Sequence, residues 1–365
     1  MTETSAMRSV EWEPCLLERR PDPALTRAVR AQSGFVPPHL HYYTPAPWVA
    51  RMVGRFGDTR LPLAHVDYEL AELISLVVAQ DNSCRFCYAV TRVMLQVLGY
   101  SEARIRSLEQ NLATADLSSG TRAALDLARR VSRANPLPGP AALEPLAAAG
   151  IHRDAAREIV WVIGMNVLAN RVTTLPAVSP EGAERLPESW AFRLARPFAG
   201  AFVRLRRGRV RALPLTPEMQ RGPFAPIVTA FDGLLVATRL FQQIDEAWRS
   251  DILPRRTKAL VVGVVGRALG CALSERAARR LLADEGFPEA ALEQVLSDLT
   301  SPALTPQEAA IVPFARETVR YVPAQIQRRG RALRDALGAP AFVELLGWAG
   351  LTNALCRMTA VLVPQ

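Results

Sequence analysis

Apolar positions recur at helical spacing along nearly the whole chain, and alternating strand-like patterns are scarce. The clearest case is Leu70, Leu73, Ile74, Val77 and Val78, which step by three or four and predict a helix over about 69–80 with one buried face. Asp81, Asn82 and Ser83 are good helix starters. After them Cys84, Cys87, Val90, Met94 and Leu98 step in the same way, so a second helix is predicted to open at the two cysteines. Similar patterns predict helices over 22–33, 46–56, 66–80, 83–98, 101–111, 118–132, 139–149 and 153–174, separated by short Gly, Pro and Asp/Ser breaks. The expected class is therefore all-α, with antiparallel neighbours. The stretch 158–172 is apolar nearly all round, which marks a central or subunit-facing helix. Asn166, Asn170 and Arg171 are its polar exceptions.

The pattern repeats. A shift of 187 positions lays Cys271 on Cys84, Phe287 on Tyr100, Leu304 on Leu117 and Arg316 on Arg129. LSSGTRAALDLAR at Leu117 resembles LTPQEAAIVPFAR at Leu304, and EIVWVIGMNVLANRV at Glu158 resembles VELLGWAGLTNALCRM at Val343. These matches predict an internal duplication of one helical unit. The expected organisation is a helical domain over 22–180, a Pro- and Arg-rich linker over 181–212 and a second helical domain over 213–365.

Composition narrows the class. A chain of 365 residues, 49% of them hydrophobic, is long enough to bury two cores. The start, MTETSAMRSVEWEP, lacks the features of a signal peptide, and the longest apolar runs are too short for a bilayer, so no integral membrane segment and a cytoplasmic location are expected. Five cysteines, mostly far apart, fit a reducing compartment. The net charge of +9 comes almost entirely from arginine, since Lys258 is the single lysine. That charge is scattered except in RLARPFAGAFVRLRRGRVR over 193–211, which is taken as a solvated linker helix. An anionic membrane surface or RNA is the competing partner for it. No nucleic-acid role and no nucleotide cofactor are expected: there is neither a G-x-G-x-x-G after a strand nor a Walker-type loop.

The candidate chemistry lies in the close cysteine pair. At a helix start, unpaired amides and the helix dipole favour an anion, so a thiolate at Cys84 or Cys87 forms more easily than in solution. Arg85 adds positive charge. Glu72, eleven residues, then Cys84-x-x-Cys87 resembles the signature of the alkylhydroperoxidase D and carboxymuconolactone decarboxylase-like family, whose redox members read E-x11-C-x-x-C-x3-H. Thr91 stands where that pattern has histidine. The resemblance implies two tandem all-α domains of that family, oligomeric assembly, and a thiol peroxidase or disulfide oxidoreductase. In that scheme Cys87 attacks, Cys84 is its disulfide partner, Glu72 accepts the proton and Thr91 occupies the remaining relay position. It further implies a hydroperoxide or disulfide substrate and a thiol reductant such as a lipoyl or thioredoxin-like protein, with no cofactor besides cysteine.

The second unit lacks these groups, having Ala259, Ser274 and Ala278 at the positions matching Glu72, Cys87 and Thr91. Cys271 is thus expected to be a small buried residue, and the second unit to supply the packing surface that a second subunit would give. The histidines His39, His41 and His65 are taken as surface or capping residues and His152 as a helix-start residue. Zinc would need two further ligands that no second CxxC or CxxH provides. Two other functions remain open: a decarboxylase-like lyase with an arginine-lined pocket, and a non-catalytic module that keeps the fold for binding or assembly.

Overall fold

The computed structural model describes residues 6–34, 36–56, 63–112, 116–205 and 214–364. Among these the regular structure is entirely helical. The first half contains α1 (Pro23–Ser33), α2 (Pro47–Gly54), α3 (Tyr68–Asp81), α4 (Arg85–Val97), α5 (Glu102–Gln110), α6 (Ser119–Arg133), α7 (Glu144–Ala148) and α8 (Arg153–Thr174). The connecting stretch forms α9 (Glu181–Arg185) and α10 (Trp190–Leu205). Then follow α11 (Ala225–Thr229), α12 (Leu235–Arg249), α13 (Arg255–Leu269), α14 (Ala272–Asp284), α15 (Glu289–Asp298), α16 (Pro306–Glu317), α17 (Pro323–Leu337) and α18 (Ala339–Leu362). The predicted linker is thus helical over most of its length, and its stretch 206–212 lies outside the described residues.

The helices begin where side chains satisfy the free amides of their first turn. Asp22, Asp67, Ser101 and Ser118 each accept a backbone N–H at the start of α1, α3, α5 and α6. Thr305 and Glu308 cap α16 reciprocally.

Two long apolar helices, α8 and α18, pack on each other at the centre. Glycines permit the approach: a Cβ on Gly164 would lie 2.6 Å from the Met358 sulfur, and one on Gly350 would lie 2.9 Å from Leu168 Cδ1. α18 is long and apolar enough to cross a membrane, yet 94% of that window is buried inside the protein, as befits a core helix. The buried apolar side chains of both halves form one continuous cluster. Each half brings a helix pair against this centre, α3 with α4 and α13 with α14.

Buried carboxylates on α8 and α18 fasten these pairs. Glu158 accepts the backbone N–H groups of Ala64, His65 and Val66 at 2.9, 2.7 and 3.0 Å, just ahead of α3. Glu344 accepts Ser250 Oγ at 2.5 Å and pairs with Lys258 Nζ at 2.8 Å, both groups of the pair being fully buried. The single lysine also donates to the carbonyls of Ala247 and Ser250 at 2.7 and 2.6 Å. Burial holds the Lys258 ammonium below its ordinary range, while Glu344 opposes that shift.

Candidate functional site

The two cysteines stand at the mouth of α4 because a tight turn follows α3. Ser83 takes the left-handed conformation with φ of 48°, and the Cys84 amide bonds back to the Ala79 carbonyl at 2.9 Å. Asn82 donates to the Val78 carbonyl at 2.9 Å, and its Oδ1 accepts Arg171 Nη1 at 3.2 Å. The turn is thereby tied to α8. Cys84 then serves as the cap of α4, its sulfur accepting the Cys87 N–H at 3.3 Å.

Both sulfurs converge on one hydroxyl. Thr173 Oγ1, on α8, lies 3.2 Å from Cys84 Sγ and 3.3 Å from Cys87 Sγ, and its own proton can go to the Ala169 carbonyl at 2.8 Å. Cys84 is wholly buried and Cys87 is 8% exposed, so Cys87 is the outer thiol. Burial opposes ionisation of Cys84. Hydrogen bonds from the Cys87 side chain, the Thr173 hydroxyl and the Cys87 amide outweigh it and hold the Cys84 thiol below its ordinary value.

Arg171 adds a buried positive charge within electrostatic range of Cys84. It is 0% exposed, and its remaining N–H groups donate to the carbonyls of Thr318 and Val319 at 3.0 Å each. Its guanidinium lies 5.6 Å from the Tyr321 ring centroid, and burial pushes that phenol up to about 12. Tyr43 donates to the Val172 carbonyl at 3.0 Å and is also held protonated, by burial and by the nearby charges of Cys15, Cys87 and Cys84. At the outer edge, Arg85 pairs with Glu184 of α9 at 2.8 and 3.0 Å.

The expected site residues fall as follows. Glu72 is fully buried on α3, the helix packed against α4. Thr91 is buried one turn beyond Cys87, and its hydroxyl has no hydrogen-bond partner. The sulfurs are bridged by Thr173 instead. Sequence reasoning missed Thr173 because it ends an apolar helix 86 residues beyond Cys87 and belongs to no local motif.

One expectation needs correction. His39 is not a surface residue: both ring nitrogens are buried without hydrogen-bond partners, and the ring meets Phe86, between the cysteines, edge-on at 4.8 Å. Burial lowers its imidazole to about 4, so near neutrality it is uncharged. His152 does start α8, accepting the Ala155 N–H at 3.4 Å. Cys271 is buried as expected but has a thiol neighbour. It heads α14, interacts with the Cys356 thiol of α18 and lies 3.2 Å from Ser274 Oγ. The neighbouring Cys356 thiol, outweighing the opposing effect of burial, brings the Cys271 thiol down to about 6, while Cys356 is pushed well up.

Among the described residues no group of three or more His, Cys, Asp or Glu side chains is placed to hold a metal ion. Compared with protein-family models and with curated proteins, the chain finds no match.

Proposed function

We propose that Cys84 and Cys87 form a dithiol–disulfide centre that reduces a hydroperoxide or a partner's disulfide, in an α-helical protein similar to the alkylhydroperoxidase D-like family and built from a duplicated unit. The observation that carries this reading is the placement of both sulfurs within 3.3 Å of the Thr173 hydroxyl at the start of α4, with the Cys84 thiol acidified.

In the peroxide reaction Cys87, the outer thiol, gives up its proton and attacks the terminal peroxide oxygen. The O–O bond breaks, and the alkoxide leaves with a proton as an alcohol. Cys87 is now a sulfenic acid, oxidised by two electrons. The Cys84 thiolate then attacks the Cys87 sulfur, hydroxide leaves and is protonated to water, and the disulfide closes. A dithiol reductant reopens it by thiol–disulfide exchange. Glu72, buried on the adjacent helix, is assigned as proton acceptor; Arg171 and the single Thr173 proton, turned from the Ala169 carbonyl to the ionised sulfur, stabilise negative charge there. Thr91 can pass a hydrogen bond but holds no proton near neutrality, so proton transfer is expected to bypass it. Adding hydroperoxide to reduced protein tests this: the 84–87 peptide should lose two hydrogens and regain them with a dithiol.

A lyase is the second reading, favoured by one feature. A groove of about 1190 Å³ beside α6 is lined by Arg122, Arg129, Arg130 and Arg133, with Asp126 its one carboxylate. Such a groove suits a small acid. Thiol-blocking reagents separate the two, since lyase activity should survive them and thiol turnover should not.

A further inference from the structure

The large exposed hydrophobic side chains among the described residues are concentrated in one place. Leu186, Trp190, Leu194 and Phe198 lie close together in the chain, and Val322 is the exception. Trp190, Leu194 and Phe198 are 71%, 66% and 79% exposed. Spaced four apart on α10, they form one outward stripe about 12 Å long. Phe192, on the opposite side, is partly buried, and α10 packs on α4, the cysteine-headed helix. A stripe of this size is costly to leave in water.

The charge around the stripe identifies what covers it. Arg193 is exposed along its flank and Arg196 on the far side beside Phe192, and WAFRLARPFAGAFVRL contains no acidic residue. Two copies of such a helix would bring arginines against arginines, whereas an anionic lipid surface accepts both the apolar stripe and the cations. Tryptophan, phenylalanine and leucine on one face with arginine on the other is the composition of a helix lying in the plane of a bilayer interface.

We propose that α10 docks the protein on anionic phospholipid surfaces, with Trp190, Leu194 and Phe198 entering the headgroup region and Arg193 on the flank of the stripe meeting the phosphates. This inference is independent of the thiol chemistry. It does not require Cys84 or Cys87 to react.

The test is sedimentation of the full-length reduced protein with vesicles of phosphatidylcholine alone or mixed with phosphatidylglycerol. The expected result is cosedimentation with the mixed vesicles, weakened by salt and reduced at least about tenfold in the W190E/L194E/F198E variant. R193E, which leaves the stripe intact, should lose the preference for the anionic vesicles. Circular dichroism confirms that each variant is folded, and because every substituted side chain is exposed the core is untouched. Absence of cosedimentation by the wild-type protein, or equal binding by the folded triple variant, overturns the proposal. So does a wild-type dimer in light scattering that the triple variant converts to monomer, for then a second copy covers the stripe.

Discussion

Thr173 Oγ1 lies 3.2 Å from the Cys84 sulfur, joining the last turn of the central helix to the first residue of the cysteine-headed one. The same oxygen is 3.3 Å from Cys87, so one hydroxyl serves both members of the pair. Replacing it with an isosteric methyl removes the hydrogen bond without changing the packing volume. Thr173→Val should therefore raise the Cys84 thiol and slow its alkylation near neutrality by about tenfold, while costing about 1 kcal/mol of stability. Alkylation rate against pH, together with denaturant unfolding, checks both numbers.

Stability should also depend on pH through the same thiol. Cys84 is held below the ordinary thiol value of 9.0, so its ionised form is favoured in the folded state. Its contribution is complete above the unfolded value and lost as pH falls through the folded one, so unfolding free energy rises with pH across that interval. A Cys271→Ser background removes the second acidified thiol, whose value near 6 would otherwise overlap. In that background Thr173→Val should flatten the rise. An unchanged slope would mean that the hydroxyl does not stabilise the thiolate.

The helical frame was legible in the chain because its apolar spacing and its caps agree. The predicted 153–174 helix coincides with α8, and Asp22, Ser101 and Ser118 mark the helix starts by accepting N–H groups. The cysteine-headed start of α4 was legible for the same local reason. Thr173, Arg171 and His39 reach the sulfurs' neighbourhood from distant parts of the chain, and no periodicity reports such tertiary encounters. Cys356 beside Cys271 was hidden in the same way. It sits within an almost uniformly apolar helix.

Glu158 offers a test of how α3 is held. Its carboxylate accepts three consecutive amides, from Ala64 to Val66, while only 2% exposed. Charge-assisted bonds of this kind contribute about 1.5–3 kcal/mol each when lost singly. Glu158→Gln keeps the shape but not the charge, and should lower stability by about 2 kcal/mol or more, measured by urea unfolding.

Packing between the halves can be probed at Gly347. A Cβ there would stand 2.6 Å from Val49 Cγ2 and 2.9 Å from the Trp48 ring, two stiff side chains on α2. Gly347→Ala should destabilise by about 1–3 kcal/mol through overpacking, in spite of alanine's better helix propensity. Stabilisation by this substitution would mean that α2 and α18 have room to separate.

The redox assignment stands or falls on one peptide mass. Reduced protein is treated with a slight excess of an organic hydroperoxide, quenched by alkylation and digested. A Cys84–Cys87 disulfide, reversed by a dithiol, should form equally well in Cys271→Ser and be absent in Cys87→Ser. Two freely alkylated cysteines after peroxide treatment would contradict it.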